Sequence, residues 1–532
     1  MNQFDSAAEV VAPRRRSLGR RSSARIGETV WTFIRGRETA VALTLVLGIA
    51  ALVRVWRIDA VGYNSDEAVY AGQGAAIAAD PALKPFFPIF RAHPLLFQSF
   101  LSIGFHLGIG ELFGRLAAAG VGVLTVLLVY RTGRLLFGSR AGIYSALVLA
   151  LMPYHVLVTR QVLLDGPMTL FATLVLYFIV RFGLTRRPGW LYAAGAAMGL
   201  TLLAKEPGIL LLGALYAFFA LSPEVRVRAR ELTLSLAAMI LVIAPYPLSL
   251  SLAGGAHTGR SYLVWQLFRR PNHTLAFYPV TVTQAVGVTV VLAAAFGLWF
   301  AHRRWSWRER LLLSWILFPA CFFELWPVKG YQYLLPISPP LAILAGRALT
   351  LLPVWLARVR LEERRARFLA AAAVGVVVVS LAVPTWTAIS PATGSTFLAG
   401  TGGVPGGREA GRWIKQHVPV GAVLMTIGPS MANIVQFYGH RKAYGLSVSP
   451  NPLHRNPSYD PVENPDLQIR HSNLQYLVWD AFSADRTPFF SRKLLRYADR
   501  YNGRIVHVAS VPAHDRSGRR TTPVIVIYEV RP

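Results

Sequence analysis

Apolar residues gather in long blocks separated by short polar joints, and from about residue 391 onward that pattern stops. Blocks near 39–56, 112–130, 141–158, 166–182, 190–204, 207–222, 232–251, 282–301, 310–325, 333–351 and 368–389 approach the length of about 20 residues that a helix needs to cross a bilayer. They predict eleven transmembrane helices. The segment 58–111 is amphipathic instead. Its most apolar part, 94–110, carries Gln98 and His106 and is short for a span, so it reads as helix lying on the membrane surface within a long first outer loop. After 391 the composition becomes that of a soluble domain: a Gly-rich joint at 402–407, helices at 408–417, 431–438 and 491–501, and strands at 422–427, 474–479, 505–511 and 524–530.

Charge fixes the orientation that this pattern leaves open. The chain has 532 residues, 54% hydrophobic and 15% charged, with a formal net charge of +29 and a mean hydropathy of +0.42. Such a positive balance suggests nucleic acid, but the arginines fall in short clusters between apolar blocks: Arg131/Arg134/Arg140, Arg181/Arg186/Arg187, Arg226/Arg228/Arg230, Arg303/Arg304/Arg308/Arg310 and Arg358/Arg360/Arg364/Arg365/Arg367. With 94–110 kept on the surface, all of them lie on the side of the N-terminus, as the positive-inside rule requires. The expected fold class is therefore a polytopic α-helical membrane protein with a C-terminal extracytoplasmic α/β domain and no nucleic-acid partner. Residues 1–37 form a basic, cytoplasmic, disordered tail that touches anionic membrane lipids, 38–390 the membrane domain and 391–532 the outer domain. No cleavage site follows an early apolar core, so the first block reads as a retained anchor. A single cysteine, Cys321, leaves no internal disulfide and no cysteine-based zinc cluster.

Acids are scarce outside one stretch, Val61-Gly-Tyr-Asn-Ser-Asp-Glu-Ala-Val-Tyr70, just past the first span. Asn64 and Ser65 are good N-cap residues, and Asp66 and Glu67 then fall in a helix's first turn, where the dipole favours negative charge. A capping-box pair of Asn64 with Glu67 explains the stretch without any chemistry; its position at the membrane boundary admits chemistry as well. The remaining outer loops hold Arg160 and Asp165, Lys205 and Glu206, Arg269 and Arg270, then Glu324 and Lys329. With Asp66, Arg91 and His93 these can ring one outward cavity, because ionisable groups at a membrane boundary mark sites by default. Each basic residue also has a plainer reading as a snorkelling interface anchor, and Asp165, followed by Gly166 and Pro167, as a helix cap. The outer domain has neither a Gly-rich phosphate loop nor metal-ligand spacing. Its Pro/Asn/Tyr-rich loop 447–465 is the part suited to acceptor contact.

The motif Arg54-Val-Trp-Arg-Ile-Asp followed by Asn64-Ser-Asp-Glu-Ala-Val-Tyr70 resembles the start of the GT-C glycosyltransferases, in the branch of the protein O-mannosyltransferases and the lipid A aminoarabinose transferase. Arg91-Ala-His-Pro-Leu95, Tyr130-Arg-Thr-Gly-Arg-Leu-Leu-Phe-Gly138, Arg160-Gln-Val-Leu-Leu-Asp-Gly-Pro-Met168, Gly199-Leu-Thr-Leu-Leu-Ala-Lys-Glu-Pro-Gly208 and Lys329-Gly-Tyr-Gln-Tyr-Leu-Leu-Pro336 resemble later motifs of that branch in the same order. The resemblance covers 38 to about 350. It implies a membrane enzyme of the cell envelope, in a bacterial plasma membrane, that moves a hexosyl or pentosyl group from a polyprenyl-phosphate donor to a lipid, glycan or protein acceptor on the outer face, with inversion. It further implies Asp66 as general base, Glu67 as support for the helix or the acceptor, and Asp165 as the second acidic position. Arg91, His93, Lys205 and Arg270 would hold the phosphate, with Arg160, Tyr331 and Tyr333 as lesser candidates. Asn-Ser-Asp-Glu departs from the Asp-x-Asp of metal-dependent oligosaccharyltransferases, so no cofactor is required and a divalent cation, though possible, is not implied. A transporter or flippase of lipid-linked sugars is the competing reading; it calls for repeated halves with matching helix breaks, which the sequence does not display.

Overall fold

The computed structural model describes residues 19–90, 92–254, 262, 264–266, 268–301, 305–358, 362–390, 404–512 and 521–532. The chain divides into two compact units, Met1–Leu45 and Val46–Pro532. In the first, the described residues are the N-terminal part of helix α1 (Gly19–Val55). The tail expected at 1–37 lies for its first half outside the described residues, and 19–37 are helical.

In the second unit, α2 (Ser65–Ile77) and α3 (Leu96–His106) precede the remaining helices of the membrane domain. These are α4 (Gly110–Phe137), α5 (Ser139–Leu151), α6 (Pro153–Thr159), α7 (Asp165–Thr185), α8 (Pro188–Ala204), α9 (Leu210–Leu221), α10 (Ala229–Ile243) and α11 (Pro245–Leu252). Then come α12 (Val288–Ala301), α13 (Trp307–Leu325), α14 (Ser338–Arg358) and α15 (Glu363–Ile389). Among the described residues six helices are long and apolar enough to cross a membrane, or eight if each of two bent pairs is one span. The expected eleven is not reached on this criterion because α8 and α9 belong to apolar helices of only 10–17 residues and α13 carries Arg308, Glu309 and Arg310 in its first turns. The protein is an integral membrane protein.

The breaks have local causes. Between α5 and α6 the axis turns by 61° at Pro153, which has no N–H for the helix ladder and starts a new helix instead. Before α12 the turn is 91° at Gly287, whose φ of +99° is open to glycine alone at low cost. Helix α3 has eleven residues, a length of about 16 Å against about 30 Å of hydrocarbon. Phe97, Gln98 and Leu101 are buried, and Phe100, Ile103, Leu107 and Ile109 are exposed, the two-faced pattern of a helix lying along a surface.

The C-terminal region builds one five-stranded sheet from β1 (Val423–Thr426), β2 (Lys442–Gly445), β3 (Tyr476–Asp480), β4 (Arg504–Pro512) and β5 (Thr521–Glu529), in the order β2-β1-β3-β5-β4. β1 is parallel to both β2 and β3, and β5 is antiparallel to β3 and β4. Met425, Ile427, Ile469, Leu474, Leu477 and Leu494 pack one core on it, using the inward residues of short strands buried under helices such as Pro488–Arg500.

Candidate functional site

Helix α2 begins as its sequence predicts. The Asn64 side chain accepts the Glu67 N–H at 2.9 Å while Glu67 Oε2 accepts the Asn64 N–H at 3.0 Å, a complete capping box. Glu67 does more than cap. Its Oε1 accepts from Arg115 Nε at 3.1 Å and from the Val162 N–H at 3.0 Å, and its Oε2 from Arg115 Nη2 at 3.0 Å. Fully buried, Glu67 is bound on both oxygens and holds the helix start. Asp66, one residue earlier, is half-buried beside Tyr70. The Tyr70 hydroxyl is held well above its usual range, first by burial and then by the negative charges of Asp66, Asp165 and Glu206 around it.

That neighbourhood gathers the predicted site. Both oxygens of Asp165 accept from Lys205 Nζ, at 3.0 and 2.8 Å, and both side chains are buried. Lys205 follows the last residue of α8 in extended conformation, so its side chain leaves the helix and turns to the start of α7. Its ammonium also lies 5.2 Å from the centre of the Tyr333 ring. His93 Nδ1 is 2.8 Å from Glu206 Oε2, and its ring is edge-on to Tyr70 at 6.0 Å and to Tyr262 at 5.4 Å. Asp66, His93, Asp165, Lys205 and Tyr333 are thus drawn together by Tyr70, Tyr262 and Glu206. The sequence reading named Glu206 only as one charge among several and gave Tyr70 and Tyr262 no site role; adjacency to Lys205 was the available signal for the first.

Other candidates stand elsewhere. The Arg160 guanidinium donates to the carbonyls of Val53, Arg54 and Trp56 at 2.7, 3.0 and 2.7 Å. It closes the C-terminal end of α1, where carbonyls lack partners. Tyr331 is buried, 5.1 Å from Tyr154 ring to ring, and its hydroxyl has no partner among the described residues. Arg270 is exposed, and no bond among the described residues ties it to the cluster. Arg91 lies outside the described residues. Lys329 is buried and donates to the Phe323 and Glu324 carbonyls.

The C-terminal region is fastened to the same helix. Asn433 Nδ2 donates to Ser65 Oγ at 2.9 Å. Tyr438 Oη accepts the Tyr63 N–H at 2.8 Å and donates to Glu111 Oε1 at 2.7 Å. Arg408 reaches the Asp59 carboxylate at 3.1 Å. Buried between them, the hydroxyls of Tyr63 and Tyr438 are both held well above their usual range, mainly by loss of water.

These features invite comparison with known proteins. A family model described as dolichyl-phosphate-mannose-protein mannosyltransferase matches residues 92–248. The structure of ArnT from Cupriavidus metallidurans in the apo state superposes with a TM-score of 0.67 at 17% identity, over 91% of this chain and 97% of that one. The fold is that of the GT-C glycosyltransferases. The ArnT structure bound to undecaprenyl phosphate matches this chain at a TM-score of 0.65 and 19% identity, over 91% and 97%. An oligosaccharyltransferase from Archaeoglobus fulgidus, tethered to an acceptor peptide, matches at 0.57 and 14%, over 93% and 74%. No curated protein matches the sequence significantly.

Proposed function

We propose that the protein transfers a glycosyl group from a polyprenyl-phosphate donor to an acceptor hydroxyl on the extracytoplasmic face, with inversion and with Asp66 as general base. The observation that carries this reading is the convergence of Asp66, His93, Asp165 and Lys205 around Tyr70, with the Lys205 ammonium beside the Tyr333 ring. An acceptor hydroxyl needs a nearby carboxylate to take its proton, and a departing phosphate needs cations. Lys205 is the cation at hand, and His93, Arg91 and Arg270 are the further groups this reading assigns to the phosphate. Related folds bind undecaprenyl phosphate in one case and an acceptor peptide in another, which fits a lipid-linked donor.

A divalent cation fits these residues poorly. Asp165 has both oxygens on an ammonium and Glu206 has both within 2.9 Å of His93 Nδ1. The Lys205 ammonium occupies the Asp165 oxygens that an ion would need, and the proposed reaction uses that charge.

Replacing Asp66 by Asn keeps size and a hydrogen-bonding oxygen but removes the proton acceptor. Transfer should fall by roughly 10²–10⁴-fold, with donor binding retained because no phosphate contact is lost. Near-wild-type transfer by folded Asp66→Asn would move the base to another group.

A further inference from the structure

At the ends of α1 and α15 that the charge pattern assigns to the outer face lies a pocket of about 50 Å³, against the roughly 10–15 Å³ that holds one water. That is room for a phosphate-sized group and not for a whole lipid. Arg57, Arg115 and Arg160 line it with Ile58, Val61 and Ile389, and none of the described residues in the lining is acidic. The helix ends meet there: Val53, Leu157 and Ile389 share one buried cluster, and Arg57 Nη1 donates to the Ser390 carbonyl at 3.1 Å. Trp56, next to Arg57 in sequence, and Trp386 are both exposed and stand ring to ring at 5.4 Å. Exposed indoles of this kind mark the depth of the lipid head groups.

The hydrogen bonds divide the three arginines. Each guanidinium carries five N–H groups. Arg115 commits all of them, to the Glu67 carboxylate and to the carbonyls of Ile58, Val61 and Gly62. Arg160 commits three, to the carbonyls of Val53, Arg54 and Trp56, and Arg57 commits one. Among the described residues, two N–H groups of Arg160 and four of Arg57 have no acceptor, so these two cations remain open to a ligand. Burial, and then the charge of Arg115, bring the Arg160 guanidinium down to about 10, as happens when cations crowd together short of counter-charge.

We infer that this pocket takes the phosphate of an anionic phospholipid of the outer leaflet. Its oxygens accept charge-assisted bonds from Arg57 and Arg160. The acyl chains lie on apolar residues exposed below the pocket: Leu52 and Val55 on α1, and Val379 and Val383, which share a face with Trp386, on α15. A head group that also carries an ammonium gains less, because no carboxylate lines the pocket to receive it. None of the lining residues belongs to the cluster around Tyr70, so the site is separate from the one proposed for the donor phosphate. Ile58 and Val61, which form its wall, lead into Asn64 and Asp66, and a bound lipid braces that approach.

The test is native mass spectrometry of the purified full-length protein in detergent, titrated separately with phosphatidylglycerol, phosphatidylcholine, undecaprenyl phosphate and inorganic phosphate. Phosphatidylglycerol is expected to bind roughly 10-fold more tightly than phosphatidylcholine, a preference that Arg57→Gln removes and Arg57→Lys largely keeps. Arg364→Gln, an exposed change at the opposite end of α15, should leave the preference unaltered. Equal binding of the two phospholipids, a preference indifferent to Arg57→Gln, or one that Arg364→Gln reduces as much overturns the proposal. So does displacement of phosphatidylglycerol by inorganic phosphate alone, which would make this a site for the free ion. Arg57-dependent binding of undecaprenyl phosphate in preference to phosphatidylglycerol would overturn it as well and assign the pocket to the donor.

Discussion

Glu67 spends its oxygens on Arg115, the Asn64 N–H and the Val162 N–H, whereas Asp66 stays half-buried beside Tyr70. Adjacent substitutions should therefore part company. Glu67→Gln leaves Arg115 buried without its counter-charge, a loss of about 3–5 kcal/mol in such settings, so its melting temperature should drop well below wild type. Asp66→Asn should melt like wild type and lose only transfer; equal melting of the two variants would remove the distinction. The capping box was legible because its partners are three residues apart. Arg115 was not, because it comes from the next long helix and no local spacing pairs it with Glu67. Lys205 and Lys329 each face a carboxylate and a ring, Asp165 and Tyr333 for the first and Glu324 and Tyr278 for the second, but only the first belongs to the cluster around Tyr70. Lys205→Met should raise the donor KM more than Lys329→Met does, since charge-assisted phosphate contacts exist in the ground state. The reverse ranking in steady-state kinetics would return Lys205 to a structural role.

Strand β3 ends on Asp480, whose Oδ1 accepts the Ser483 N–H at 2.7 Å to start the following helix while Oδ2 is buried and unpartnered. Burial pushes this carboxyl from 3.8 up to about 6, with the Ser483 bond pulling the other way. A folded-state value above the unfolded one means that the fold favours the protonated acid. The stabilisation is fully present below about pH 4 and is lost as pH rises through about 6, by about 3 kcal/mol. Asp480→Asn keeps the cap and carries no titrating proton. Relative to it, wild type should melt higher at pH 5 than at pH 7.5, and a constant gap between the two would contradict the assignment. Strands β1, β3, β4 and β5 fall near 422–427, 474–479, 505–511 and 524–530 because each carries a run of β-branched or aromatic residues. β2, Lys-Ala-Tyr-Gly, has no such run; it is a strand only because β1 lies beside it. In the membrane domain, apolar blocks locate helices but do not reveal that Pro153 and Gly287 bend two of them, so counting blocks counts segments rather than spans.

At the scale of the whole molecule, arginine placement and the short, two-faced α3 argue for the same orientation. Single cysteines introduced in a Cys321→Ser background, one beside Asp66 and one beside Arg134, should label from outside and from inside intact cells respectively. Outside labelling near Arg134 would make 94–110 a span and invert the protein. The membrane half of the site was readable because each motif sits at a block boundary. The fastening of the C-terminal region onto Ser65 through Asn433 and onto Tyr63 and Glu111 through Tyr438 was not, because those residues lie more than 300 positions away from their partners. The most direct measurement incubates purified protein with a panel of polyprenyl-phosphate sugars and follows both products. One donor should be consumed, releasing polyprenyl phosphate and leaving its sugar covalently on an acceptor with the anomeric configuration inverted. A full panel left unconsumed, with the lipid-linked sugars instead carried intact across a sealed vesicle membrane, would contradict glycosyl transfer and establish a flippase.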